Sequence, residues 1–234
     1  MHIEYFHVPP QKVSANEIVV DEEEFAHLTH VMRKGVGDSI RIVDGMGTAY
    51  DTRIARIEQR RAYCTIESTM KGLNESPVQV TLGAALLKNP SRFYYLIEKT
   101  TELGVHRIIP VLTDRTIPRT GRIERYRKLA IGAMKQSCRC VLPEITDPVP
   151  FNDFLLQSSE SSLRIIPHEG VSGPRIRDLP GGRSEVCIVV GPEGGFTEEE
   201  VERATRSGFS PVTLGPRRLR TETATVVAVS EVLL

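Results

Sequence analysis

A chain of 234 residues is long enough to bury a substantial core, as one large domain or two smaller ones. Its 30 Lys and Arg balance 30 Asp and Glu, so no global charge advertises nucleic acid, and any such affinity has to come from local patches. No run approaches the ~18 apolar residues of a membrane helix, and MHIEYFHVPP lacks the charged-then-apolar build of a signal peptide, which predicts a cytoplasmic protein.

In chain order, a short helix is expected at EEEFAHLTHVMR, followed by alternating strands at DSIRIVDG, AYDTRIARIEQ and RAYCTIES, with Asp44-Gly45 and Gly47 marking a hairpin turn. This is the grammar of a small β-barrel over residues 1–70. KGLNESP, residues 71–77, has the Gly, Asn, Ser and Pro composition of a linker. Beyond it, over 78–234, the strand-like runs VQVTLGAAL, RIIPVL, LRIIP, VCIVV and PVTL alternate with the helix-like SRFYYLIEKTTEL, RIERYRKLAIGAMKQS, TEEEVERATRS and TETATVVAVSEVLL. Such alternation predicts an α/β domain with a mostly parallel sheet covered by helices.

Charge is unevenly spread. From Arg115 to Arg139 eight basic residues (Arg115, Arg119, Arg122, Arg125, Arg127, Lys128, Lys135, Arg139) face the single acid Glu124, and Arg53, Arg56, Arg60 and Arg61 form a second basic knot. Arg33, Arg115, Arg122, Arg125 and Arg139 are candidates for a face that tracks RNA phosphates, the alternative being an ordinary solvated helix face. Cys64, Cys138, Cys140 and Cys187 are scattered and read as free thiols. Neither Cys138-x-Cys140 nor His27-x-x-His30 has a partner pair at ligand spacing, so no metal site is expected.

The clearest local signal is VCIVVGPEGGFTEEEVERATRSGF. A strand ends at Gly191, a Gly/Pro loop follows, Thr197 and Glu200 have capping-box spacing, and Gly208 is placed to stop the helix. Ligands of open α/β sheets bind beyond the carboxyl ends of strands. The loop has no P-loop Lys, and Glu193 would repel a phosphate, so a neutral or cationic ligand fits better. PVTLGPRRLR repeats the device at Gly215 and opens into a terminal helix, apolar nearly all round and expected to be a buried packing element behind the site or against a partner chain. Two such loops one βαβ unit apart can line one pocket.

GPEGGF (Gly191 to Phe196), LG with LRTETA (Leu214, Gly215, Leu219 to Ala224), TELGV (Thr101 to Val105) and QSCR followed by Pro143 resemble the RsmE family of uridine-N3 methyltransferases of small-subunit ribosomal RNA, within the SPOUT superfamily. VMRKGVGDSIRIVDGMGTAY is similar to that family's PUA-like RNA-binding domain. Lys135 and Tyr126 depart from the pattern, standing where the family often has Glu and Trp. The resemblance implies a PUA-like β-barrel followed by a SPOUT domain with a C-terminal trefoil knot, S-adenosylmethionine bound among the knot loops, and a homodimer acting on 16S ribosomal RNA. It maps those loops onto Ile166 to Gly170, Gly191 to Gly195 and Leu214 to Ala224, making Pro167, His168, Gly191, Glu193, Gly194, Gly195, Leu214, Gly215, Leu219, Thr223 and Ala224 the expected cofactor residues. The cofactor's sulfonium suits a loop with Glu193 and no Lys.

Uracil N3 carries a proton that methylation displaces, so such a site needs a base, or positive charge that stabilises the uracil anion. Arg220 is the expected stabiliser, and Glu222 or Glu102 the base or its orienting partner, although helix capping and the helix dipole also account for a Glu at position 222. Two rival readings remain open. A Rossmann-type methyltransferase would carry its glycine-rich loop after the first strand of the catalytic domain, where VQVTLGAALLK has only Gly83. A non-catalytic RNA-binding module would need no cofactor.

Overall fold

The computed structural model describes residues 3–169, 173–180 and 184–234. The chain forms two compact units, Met1–Glu75 with Ile131–Leu142, and Ser76–Ala130 with Pro143–Leu234.

The first unit contains β1 (Tyr5–His7), β2 (Glu17–Val20), the short helix α1 (Glu22–Ala26) running on as a π-helical turn through Val31, β3 (Ser39–Val43), β4 (Thr48–Glu58) and β5 (Arg61–Lys71). The sheet order is β1-β3-β4-β5-β2, antiparallel except for the β1–β3 pair. Phe6, Ile18, Val20, Leu28, Ile40, Ile42 and Ile54 fill its core. Sequence patterning passed over β1 and β2, which are only three and four residues long. The β3–β4 turn is built by Asp44, whose Oδ1 accepts from the N–H groups of Met46 (2.7 Å) and Thr48 (2.9 Å) while Gly45 and Gly47 take φ of 75° and 97°. Of the basic knot, Arg53 pairs with Glu67, and Arg56 pairs with Glu17 and stacks on Tyr63.

Ile131–Leu142, expected from sequence to belong to the α/β domain, clusters with this first unit. The reason is a buried ion pair. Arg139 Nε and Nη2 donate to Glu75 Oε2 (3.0 and 2.7 Å), and Glu75 Oε1 accepts from the N–H groups of Cys140 and Val141 (both 2.9 Å). The Arg139 side chain is 2% exposed, so it cannot track RNA phosphates, which corrects the sequence expectation. Lys135 likewise ion-pairs with Glu24.

The second unit runs β6 (Gln79–Ala85), α2 (Pro90–Leu103), β7 (Arg107–Leu112), α3 (Ile123–Gln136, of which residues up to Ala130 belong here), β8 (Glu144–Ile145), β9 (Val149–Pro150), α4 (Phe151–Gln157), β10 (Leu163–Pro167), β11 (Glu185–Val190), α5 (Glu198–Arg206), β12 (Ser210–Val212) and α6 (Thr221–Leu233). Its parallel sheet has the order β12-β10-β11-β6-β7-β8, with β9 also on β7. β6, β7 and β11 are buried along nearly their whole length, as expected of a sheet covered on both faces. Gly83 lies mid-strand. A Cβ there would fall 2.5 Å from the Phe154 ring, so this glycine serves packing against α4. Burial pushes the Cys187 thiol up to about 12, and all four cysteines are free.

α6 packs on the sheet side as expected, with its remaining surface only partly covered. Thr225, Ala228 and Val229 are buried at helical spacing, on the side of the helix that packs on α2 and β11, while Val226, Val227, Val232 and Leu233 are only half-buried. Among the described residues no helix is long and apolar enough to cross a membrane.

Candidate active site

Beyond the carboxyl ends of β10, β11 and β12 the second unit encloses a cavity of about 650 Å³. Pro167 ends β10 and His168 follows it, Gly191, Glu193, Gly194 and Gly195 follow β11, and Leu214, Gly215, Leu219 and Arg220 follow β12; all line it, as does Ala224 from the first turn of α6. The two glycine loops expected to share a pocket therefore do so. Gly170, at the end of the first expected loop, lies outside the described residues.

The glycine loop is held from three sides. Glu193 Oε1 accepts from Lys88 N–H (3.1 Å), Arg115 Nη1 donates to the carbonyls of Gly194 (2.6 Å) and Phe196 (3.2 Å), and Glu200 bridges two segments. Glu200 is fully buried, its Oε1 accepting from Asp114 N–H and its Oε2 from Thr197 N–H, each at 2.9 Å, while Thr197 Oγ1 accepts from Glu200 N–H to complete the capping box. Arg115, proposed for RNA phosphates, thus gives its Nη1 to the loop while remaining exposed. At the same helix start, Glu199's own backbone amide, then the Thr197 hydroxyl, hold the Glu199 carboxyl below the ordinary range. Opposite, Gly215 turns at φ 115° and its N–H donates to Thr213 Oγ1.

Five arginines line the cavity, and they are not equivalent. Arg218 pairs with the exposed Glu169 at 3.1 Å, Arg115 is bound to the loop, and Arg220, exposed at the N-cap of α6, has no side-chain partner among the described residues. Arg217 is similarly exposed. Arg92, which the sequence reading missed because nothing in SRFYYL distinguishes it from a solvated helix residue, sits in the first turn of α2 with Nε 3.7 Å from Glu222 Oε1.

Several expected residues lie elsewhere. Glu222 is buried in α6 and does not line the cavity; Glu102 is paired with Lys99 one turn away at 2.7 Å and does not line it either. Thr223 is exposed, since it lies on the opposite side of α6 from Thr221 and Thr225. In the second unit Arg122 Nη1 donates to the Tyr94 hydroxyl (3.2 Å) and Arg125 lies over the Tyr94 ring (5.7 Å), both exposed and outside the cavity. Arg33 is exposed in the first unit, with φ 53°.

A model of the RNA methyltransferase domain matches residues 74–233, and one of the RNA methyltransferase PUA domain matches residues 20–67. The chain is 31% identical to the ribosomal RNA small subunit methyltransferase E of Bacillus subtilis over 90% of this chain and 87% of that protein. It is 30% identical to the same enzyme of Synechocystis sp. over 96% and 75%. A crystal structure of a ribosomal RNA small subunit methyltransferase E from Neisseria gonorrhoeae bound to S-adenosyl methionine matches with TM-score 0.90 at 31% identity, covering 98% of this chain and 96% of that one. The chain belongs to the ribosomal RNA small subunit methyltransferase E family.

Proposed function

We propose that the protein methylates N3 of one uridine in 16S ribosomal RNA, using S-adenosylmethionine bound in the cavity at β10, β11 and β12. The observation that carries this reading is that two glycine loops more than twenty residues apart close on one cavity whose chemistry is mixed in the way this zwitterionic, sulfonium-bearing cofactor requires. Arginines are present for its carboxylate, Glu169 and Glu193 for its positive groups, and Val190, Leu214 and Leu219 for its adenine. The cofactor supplies an electrophilic methyl group on sulfur. Arg220, exposed at the N-cap of α6 and without a side-chain partner among the described residues, stabilises the uracil anion left when the N3 proton passes to solvent, and N3 then takes the methyl.

The finer points of this proposal are a trefoil knot around the Leu214 to Ala224 loop, a homodimer, and action in the cytoplasm on the assembled small subunit. The half-buried Val226, Val227 and Leu233 face of α6 supports the dimer. Residues 1–70 are assigned as the PUA-like RNA-binding domain, 71–77 as linker and 78–234 as the methyltransferase domain, with Arg33 in the first unit and Arg122 and Arg125 in the second each contacting phosphate. Titration with S-adenosylmethionine in a calorimeter tests the reading. One site per chain is expected, and an absence of binding heat returns the chain to a non-catalytic RNA-binding module.

A further inference from the structure

The cavity arginines differ in what they are paired with: Arg115 is bound to the glycine-loop carbonyls, and among the other four the pairing singles out Arg92. Arg217 and Arg220 are exposed, and Arg218 is tied to a carboxylate that is itself 61% exposed. Arg92 alone pairs with a buried carboxylate, its Nε 3.7 Å from Oε1 of Glu222, whose side chain is 12% exposed. Each residue lies in the first turn of a helix, α2 and α6, so neither backbone is free to swing. Glu222 Oε2 is buried and has no hydrogen-bond partner among the described residues. A general base must come within about 2.6–3.2 Å of the proton it takes, or reach it through one water. Glu222 lines no part of the cavity, whereas Arg92, beside it, does.

We propose that Arg92 is a second cation of the transfer site and that Glu222 is a positioning residue acting through it, not the base. A guanidinium fixed before the substrate arrives stabilises a developing anion without reorganising, the condition under which a donor contributes most to catalysis. The inference rests on the methyltransferase reading, so the parent must first show cofactor binding and methyl transfer. Failure there removes that reading, while the variants address Arg92 and Glu222 alone.

The test is single-turnover methylation of small-subunit particles at saturating cofactor for Arg92→Ala, Arg92→Lys, Glu222→Gln and the double variant Arg92→Ala/Glu222→Gln, with rates followed against pH. Arg92→Ala should lower the rate on the order of 10-fold to 100-fold, with Arg92→Lys intermediate, because a point charge replaces a planar fork. Glu222→Gln should lower the rate uniformly and keep the parent's pH profile. In the double variant the Glu222 change should add less than about twofold to the Arg92 effect, since residues acting as a unit are non-additive. Cofactor affinity should fall far less than the rate in each single variant. Arg92→Ala, which leaves the buried Glu222 carboxylate without its cation, should unfold at a lower temperature than the parent, so rates are compared well below its midpoint; if it does not fold, Arg92→Lys carries the comparison. Loss in Glu222→Gln of a pH limb that the parent shows, full multiplicativity in the double variant, or a parent rate in Arg92→Ala would each overturn the proposal.

Discussion

Replacing Arg139 separates a buried strut from an RNA contact, two roles the basic run of Arg115 to Arg139 does not distinguish. In Arg139→Ala the Glu75 carboxylate, 7% exposed in the parent, loses both guanidinium bonds and keeps those from the N–H groups of Cys140 and Val141. Breaking a buried pair by removing one partner costs about 3–5 kcal/mol, because the surviving charge is left uncompensated. For a chain of this length each kcal/mol moves the midpoint by roughly 2–4 °C, so thermal unfolding should shift down by on the order of 10 °C. Arg139→Met combined with Glu75→Gln should recover part of that loss, since the lone carboxylate is removed. RNA binding by the fraction that stays folded should keep the parent's slope of log affinity against log salt. An Arg139→Ala protein that unfolds with the parent and loses about 0.7–0.9 from the salt slope would refute the burial argument.

Three other substitutions probe the cavity and its surroundings. Gly194→Val should abolish cofactor binding by calorimetry while the protein stays folded, because even a Cβ there lies 3.3 Å from the Arg115 stem that braces the loop. Unchanged affinity would remove the loop from the site. Arg220→Ala should lower the single-turnover methylation rate on the order of 10²-fold with cofactor affinity little changed, and a parent rate would make Arg220 an RNA anchor at most. Arg122→Ala with Arg125→Ala should flatten the salt slope by roughly 0.7–0.9 per lost contact, and a slope equal to the parent's would mark the arginines around Tyr94 as ordinary surface charge.

The alternation of strand and helix after residue 77, and the glycine loops at Gly191 and Gly215, were legible in the sequence because each rests on a local rule: periodicity for the elements, and glycine with a following cap for the loops. The same locality explains what was hidden. Gln59 and Arg60 make the β4–β5 hairpin with φ of 48° and 61°, a turn usually announced by Asn-Gly. Arg139 reads as one more basic residue until Glu75, 64 positions away, is placed against it. Arg115 carries the charge of an RNA contact, yet its Nη1 donates to loop carbonyls 79 and 81 residues on. The face of Thr223 was within reach, since counting 3.6 residues per turn from Thr221 and Thr225 puts it on the outer side of α6. Glu222 and Glu102 matched motif positions, but which side of a packed helix a carboxylate faces is set by tertiary contacts that no motif records.

The central claim is tested most directly by incubating the purified protein and S-adenosylmethionine, labelled in its methyl group, with small ribosomal subunits from a strain lacking this gene, then digesting the 16S RNA and separating its nucleosides. Label should appear as 3-methyluridine at a single position, in a stoichiometry approaching one per subunit. Label in another nucleoside, or none in the RNA while the same preparation binds cofactor, would contradict the account.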